Sequence, residues 1–226
     1  MSRLAITFLI IAVPVLAICL ALLGLVTIPT NPLGWFLFLT GIVYSAGIVI
    51  YTVVRRKRFW EAGAGEGTIQ EERGDRSFWL ITLAMMAVFY LSPLEYIYFA
   101  TWLPRTVLMK SCGVGLVVAG SALFVWARRT LGVNYSGHVS VKQEQELVQS
   151  GPYHFIRHPA YAGYLLMALG ISLGYSSLIG LISVFALLLP SLIYRLNVEE
   201  KLLTEHFGEA YRRYTSMVKR LIPGVW

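Results

Sequence analysis

Thirty-six consecutive residues, Pro159 to Tyr194, carry no charged side chain. One α-helix of that length would run about 54 Å, against a hydrocarbon core of about 30 Å. The run must therefore break, and Gly174-Tyr175-Ser176-Ser177 is the natural place. The expectation is two helices, Tyr161 to about Gly174 and Leu178 to Tyr194, folded back as a tight hairpin. Each is short, so the pair either crosses the bilayer fully or re-enters on one side. Four further stretches repeat the pattern. Leu4 to Val26 is uncharged over 23 residues, Leu33 to Val54 over 22 and Phe78 to Leu94 over 17. Thr106 to Ala127 holds only Lys110, near one end, where its stem can snorkel to the interface. Pro29, Asn31 and Pro32 turn the chain between the first two. The first stretch reads as a retained span rather than a signal peptide, because it is long and no small-residue cleavage site follows it. The fold class is all-α: a polytopic integral membrane protein of about six hydrophobic helices.

Charge supports the count. Only 14% of residues are charged, against about 25% in soluble domains. That excludes a disordered chain, a fibrous repeat and an ordinary soluble α/β enzyme. The net charge of +7 would suggest nucleic acid in a soluble protein. Here its distribution suggests a membrane. With the N-terminus in the cytoplasm, 17 of the 19 Lys and Arg fall on the inner side, and only Arg105 and Lys110 fall outside. Of the acids, only Glu95 is outside. Both termini, and nearly all polar chemistry, are then cytoplasmic. Cys19 and Cys112 lie in apolar stretches, offer neither a disulfide framework nor zinc spacing, and read as buried small apolar residues. The polar segment 55–77 holds Gly63, Gly65 and Gly67. It is either a solvated loop with basic anchors for anionic lipid or a lid over a site. No Walker loop and no GxGxxG fingerprint appears.

The connector after the fourth span is dense in His, Tyr, Gly and Pro. Gly151-Pro152 marks a turn, and Pro159 starts a helix while barring His158 from one. Arg157 and His158 thus stand at a helix entrance at the membrane face. Each of His138, His154 and His158 alone reads as an interfacial residue, and together they suggest a pocket. After the hairpin, Leu202, Leu203, Phe207, Tyr211, Tyr214, Val218 and Leu221 recur at helical spacing, an amphipathic segment that Gly208 can interrupt. Arg195 and Glu199 share a helix face at i, i+4. They are either an ordinary ion pair or, because Arg195 ends an apolar helix, an anion receptor.

These residues form an ordered series: Asn134 to His138, Glu146-Leu147-Val148, Gly151-Pro152-Tyr153, Arg157-His158-Pro159 with Tyr161 and Gly163, Arg195 with Glu199-Glu200, and Phe207-Gly208 with Tyr211 and Tyr214. The series resembles the isoprenylcysteine carboxyl methyltransferases and their wider membrane superfamily, which includes phospholipid methyltransferases. It covers roughly residues 115–226. The resemblance implies a division into N-terminal spans without a motif, 1–105, and a methyltransferase core, 106–226. That core comprises a connector 128–159, a helix hairpin 160–195 and an amphipathic C-terminal segment. It implies an S-adenosylmethionine-dependent transfer without a Rossmann fold or a metal, from a cytoplasmic-side pocket, to a lipophilic acceptor entering from the bilayer. Carried over by motif, His138, Glu146, Leu147, Val148, Tyr153, His158, Tyr161 and Glu200 would bind the cofactor, and Arg195 with Glu199 would hold the acceptor. One residue is inserted in the NxxH segment that ends at His138. The implied acceptor is a prenylated cysteine carboxylate. A phospholipid amine, a small thiol, a related NADPH-dependent reductase and a non-catalytic scaffold or transporter are the competing readings.

Overall fold

The computed structural model describes residues 3–54, 68–71, 77–99, 102–132, 140–142 and 146–226. Six apolar helical segments run in chain order: α1 (Arg3–Thr27), α2 (Leu33–Val54), α3 (Ser77–Tyr98), α4 (Val107–Leu131), α5 (Pro159–Gly174), and a continuous helix built from α6 (Leu178–Ser183), a π-helical turn (Val184–Leu188) and α7 (Leu189–Phe207). A short α8 (Glu209–Met217) follows. Three of the segments, Ser77–Tyr98, Val107–Leu131 and Leu178–Phe207, are each long and apolar enough to cross a membrane.

The break in the uncharged run falls at Tyr175 to Ser177, as its residues suggest. Ser177 caps α6 by accepting from Gly180 N at 2.8 Å. The second arm differs from expectation, because its helix passes Tyr194 and continues to Phe207. Pro190 lacks the N–H that a regular helix would use, and the π-helical turn just before it absorbs the mismatch. Gly208, at φ +54°, finally ends the helix.

Helices α4 and α5 pack at backbone distance. A Cβ built on Gly113 would lie 2.5 Å from Gly174 Cα, and one on Gly120 would lie 2.7 Å from Gly163 O. Only glycine permits so close an approach, the means by which apolar helices associate where the surrounding solvent is itself apolar. The innermost layer comprises Leu37, Val88, Ala168, Ile171, Tyr175, Val184, Leu188 and Leu192, all sealed from solvent. Facing outward are Leu22, Leu25, Leu39, Val43, Leu83, Val118 and Phe185, an apolar surface suited to lipid. Cys19 and Cys112 sit on this outer surface, not buried as their apolar neighbours suggested. In a membrane protein, apolar sequence does not distinguish core from lipid face.

The two ends of the bundle are tied separately. At one end, Asn31 Nδ2 donates to Gly174 O at 2.8 Å, Thr27 and Tyr175 hydroxyls share a hydrogen bond of 2.8 Å, and Lys110 Nζ donates to Thr30 O. Glu95 lies here too. Its carboxylate accepts from Ser177 Oγ and Ile179 N, which lets α3 run four residues past the uncharged stretch ending at Leu94. At the other end, β1 (Thr68–Glu71) pairs antiparallel with β2 (Ser140–Lys142). This pairing joins the segment between α2 and α3 to the connector after α4.

Candidate functional site

The second end gathers the polar residues. Ser150 leads into a single 3₁₀ turn, Gly151–His154, with Gly151 at φ +59° and Pro152 as its second residue. Tyr153 is buried there, and its carbonyl accepts from the Tyr214 hydroxyl at 2.6 Å. Burial pushes that Tyr214 hydroxyl up to about 12, so it remains a donor at neutral pH. The connector and α8 are thus joined before any ligand is considered.

Arg195 stands where α7 leaves the apolar zone, and it is buried. Its Nε donates to the Tyr161 hydroxyl at 2.6 Å, and Tyr161 in turn donates to Glu199 Oε2 at 2.5 Å. A second guanidinium nitrogen donates to Ser77 Oγ at 3.0 Å. Helical spacing brings Arg195 and Glu199 to one face, but the tyrosine hydroxyl stands between them. They meet through it rather than as the direct ion pair that their spacing suggests. The guanidinium carbon also lies 5.7 Å from the centre of the Tyr161 ring. Among the described residues, the buried cation is held by two neutral hydroxyls, one of which relays a carboxylate.

Glu200, the next residue, organises a second cluster. Its Oε1 accepts from Arg157 NH2 at 2.8 Å and lies 3.2 Å from His158 Nε2, while Oε2 takes Arg220 at 2.7 Å. Arg157 also donates to the carbonyls of Thr215 and Val218. The backbones follow: Arg157 N donates to Lys219 O at 2.8 Å and His158 N to Arg220 O at 3.0 Å. The Arg-His-Pro turn thereby clasps the C-terminal strand of chain to α7. His158 is buried with its ring 5.8 Å from that of Tyr161, which links the two clusters.

Of the residues expected at a site, Arg195, Glu199, Glu200, His158 and Tyr161 are brought into one connected network. Tyr153 joins through Tyr214. Leu147 is partly buried against Tyr211 and Tyr214, Val148 is partly buried, and Glu146 is exposed. His138 lies outside the described residues. Sequence reasoning assigned no role to Ser77, Arg157, Arg220 or Tyr211. Arg157 and Tyr211 stand inside motifs that were already visible. Ser77 carries only the weak signal of a small polar residue opening an apolar helix. Two buried side-chain polar atoms among the described residues have no hydrogen-bond partner, Ser92 Oγ and the Tyr211 hydroxyl.

Residues 108–210 match the phospholipid methyltransferase family. A protein-S-isoprenylcysteine O-methyltransferase of Saccharomyces cerevisiae is 33% identical over 120 residues, 52% of this chain and 50% of that protein. The Arabidopsis thaliana protein-S-isoprenylcysteine O-methyltransferase B is 27% identical over 140 residues, 60% of this chain and 71% of that protein. The chain thus spans about half the length of the yeast relative it matches. In fold, the chain is similar to the solved eukaryotic intramembrane Ras methyltransferase, an isoprenylcysteine carboxyl methyltransferase. That likeness has a TM-score of 0.59 at 21% identity, over 92% of this chain and 73% of that one. It extends beyond the C-terminal half, where the motifs lie, to the N-terminal helices.

Proposed function

From the kinship of this chain with the isoprenylcysteine carboxyl methyltransferases, we propose that it is an integral-membrane methyltransferase that uses S-adenosylmethionine. Its acceptor is the carboxylate of a lipophilic molecule, most simply a prenylated cysteine. The observation that carries the proposal is the buried Arg195–Tyr161–Glu199 relay at the membrane end of α7. A cation held at that depth suits an acceptor whose charged head reaches the polar zone while its tail stays in lipid. The same cation disfavours a protonated amine. This separates a carboxylate from the phospholipid amine that the matched family's description would suggest.

The residues present suit the cofactor. Carboxylates and tyrosine rings favour a sulfonium cation, and Leu147, Tyr211 and Phe207 supply an apolar and aromatic wall beside them. Leu147, Val148, Tyr153 and Tyr211 would line the pocket, with Glu199 at its polar edge. The cofactor supplies an activated methyl group with its own leaving group, so an ionised carboxylate needs no general base. What remains for the protein is alignment and exclusion of water, and orientation alone is worth several kcal/mol. Arg195 orients the carboxylate. Tyr161 and Ser77 are among the guanidinium's own partners, and sharing it limits its grip and leaves the carboxylate nucleophilic. The site faces the cytoplasm, as do both termini, because the basic residues concentrate at that end.

The test is transfer of labelled methyl from S-adenosylmethionine by purified protein to a panel of isoprenylcysteine, thiol and phosphatidylethanolamine acceptors. Labelling of the isoprenylcysteine carboxylate is expected. Labelling of phosphatidylethanolamine alone would replace the acceptor, and no labelling of any would remove the enzyme reading in favour of a scaffold.

A further inference from the structure

The end of the bundle away from Arg195 holds the two basic residues that the charge partition leaves outside, and both stand over one ring. The Arg105 guanidinium carbon lies 4.4 Å from the centre of the Tyr96 ring, and Lys110 Nζ lies 6.0 Å from it. Tyr96 is buried, and its hydroxyl donates to Thr30 O at 3.2 Å. Lys110 donates to that same carbonyl at 2.8 Å. Arg105 donates to Tyr96 O at 2.8 Å and to Phe99 O at 3.1 Å, carbonyls at the end of α3. These carbonyls and the ring fix both cations without cancelling their charge. The one acid that the partition places at this end, Glu95, turns its carboxylate to Ser177, Leu178 and Ile179 at the start of α6. Among the described residues, Lys110 spends one of its three donors. Two like charges gathered on one ring repel, and an anion shared between them removes the repulsion.

The surroundings indicate what carries the anion. Trp102 is 84% exposed and Val107 81%, and Phe99 and Leu108 are exposed as well. Here α4 enters its apolar stretch, so in a bilayer the cations stand at headgroup depth and these side chains at the border of the acyl region. A free anion gains nothing from such an apolar rim, whereas a lipid uses both parts. Two cations repel a choline or an ethanolamine, so the headgroup that fits carries a phosphate and no cation of its own.

We propose that Arg105 and Lys110 form a binding site for the phosphate of an anionic phospholipid, whose glycerol and acyl chains lie along Trp102, Val107 and Leu108. The site is at the opposite end of the bundle from the proposed methyl transfer and is independent of it.

Trp102 reports on the site. The full chain in phosphatidylcholine nanodiscs receives a minor fraction of lipid with brominated chains, either phosphatidylglycerol or phosphatidylcholine. Quenching of Trp102 is read as the difference from the Trp102→Phe variant. Brominated phosphatidylglycerol is expected to quench with about thirtyfold preference over brominated phosphatidylcholine, the share of two cations near a headgroup. Lys110→Gln and Arg105→Gln should each reduce that preference about fivefold, and the test survives if one of them fails to fold. Lys110→Arg keeps the charge and should keep the preference. Equal quenching by the two lipids would overturn the site, as would an undiminished preference in either glutamine variant. Loss of the preference in Lys110→Arg would mark Lys110 as a structural tie to Thr30 alone and would also overturn it. Relief of the quenching by millimolar inorganic phosphate would show that the cations take a free anion, which removes the lipid assignment.

Discussion

Arg195 is where charge, burial and helix register coincide. Its neighbours, Tyr161 and Ser77, come from α5 and from the start of α3. Arg195→Lys retains the charge but not the planar fork, and lysine cannot hold a carboxylate by two parallel bonds while also reaching Tyr161. Single-turnover transfer at saturating cofactor should fall by about a hundredfold for this variant, the cost of roughly an ångström's misplacement. S-adenosylhomocysteine affinity should stay near wild type. Near-normal rates would make Arg195 structural. The clasp around Glu200 predicts a different phenotype. Arg157→Ala leaves a mostly buried carboxylate short of its best partner and frees the Thr215 and Val218 carbonyls. A loss of about 3–5 kcal/mol is expected. Thermal unfolding and limited proteolysis near residue 218 would check it, and an intact C-terminus with normal melting would refute the clasp.

Among the elements, the α4–α5 pair is the most exacting. Gly113 and Gly115 lie two positions apart on α4, with opposite surroundings. A Cβ at Gly113 meets Gly174 and Gly170 backbone at 2.5–2.6 Å, whereas a Cβ at Gly115 meets nothing within 4 Å. Gly113→Ala should therefore force the helices apart and destabilise by about 1–3 kcal/mol, the usual cost of overpacking. Gly115→Ala should be neutral or slightly stabilising, because alanine loses less backbone entropy in a helix. Melting of the two variants in the same detergent decides it, and equal effects would mean that the helices do not pack as described. The start of α6 depends likewise on one side chain. Glu95 accepts from Ser177 Oγ, Leu178 N and Ile179 N, so a carboxylate far from the polar end serves as a helix cap.

For the whole molecule, the described turns alternate between the two ends of the bundle. The turn between α1 and α2 bonds to the turn between α5 and α6, while β1 pairs with β2 and Arg157 reaches α7 at the opposite end. Single cysteines in place of Gln149 and Gly224, in a chain lacking Cys19 and Cys112, should label from one side of sealed vesicles. A cysteine in place of Trp102 should label from the other. Labelling of 149 and 224 from different sides would break the topology. The same arrangement makes the N-terminal helices more than an anchor. α3 packs against the continuous α6–α7 helix and delivers Ser77 to the buried arginine, although no motif lies before residue 106.

Sequence by itself determined the helical class, the run that had to fold back, the break at Gly174 to Ser177 and the side on which charge collects. These follow from local quantities: length of an uncharged run, φ preferences of Gly and Pro, and the cost of charge in hydrocarbon. It also marked Arg195, Glu199, Glu200, His158 and Tyr161 as residues to watch, through the motifs they share with a family. Only the tertiary structure decided how these residues pair. Arg195 and Glu199 are neighbours in helical register, but a hydroxyl from α5 separates them. His158 and Glu200, both expected on a cofactor, lie against each other. Cys19 and Cys112 face outward, because hydropathy is equal for a residue bathed in lipid and one packed in protein. The pairing of 68–71 with 140–142 joins segments distant in sequence, with no periodic signal in either. Partner choice is a property of three-dimensional packing, and apolar sequence in a membrane specifies depth far better than direction.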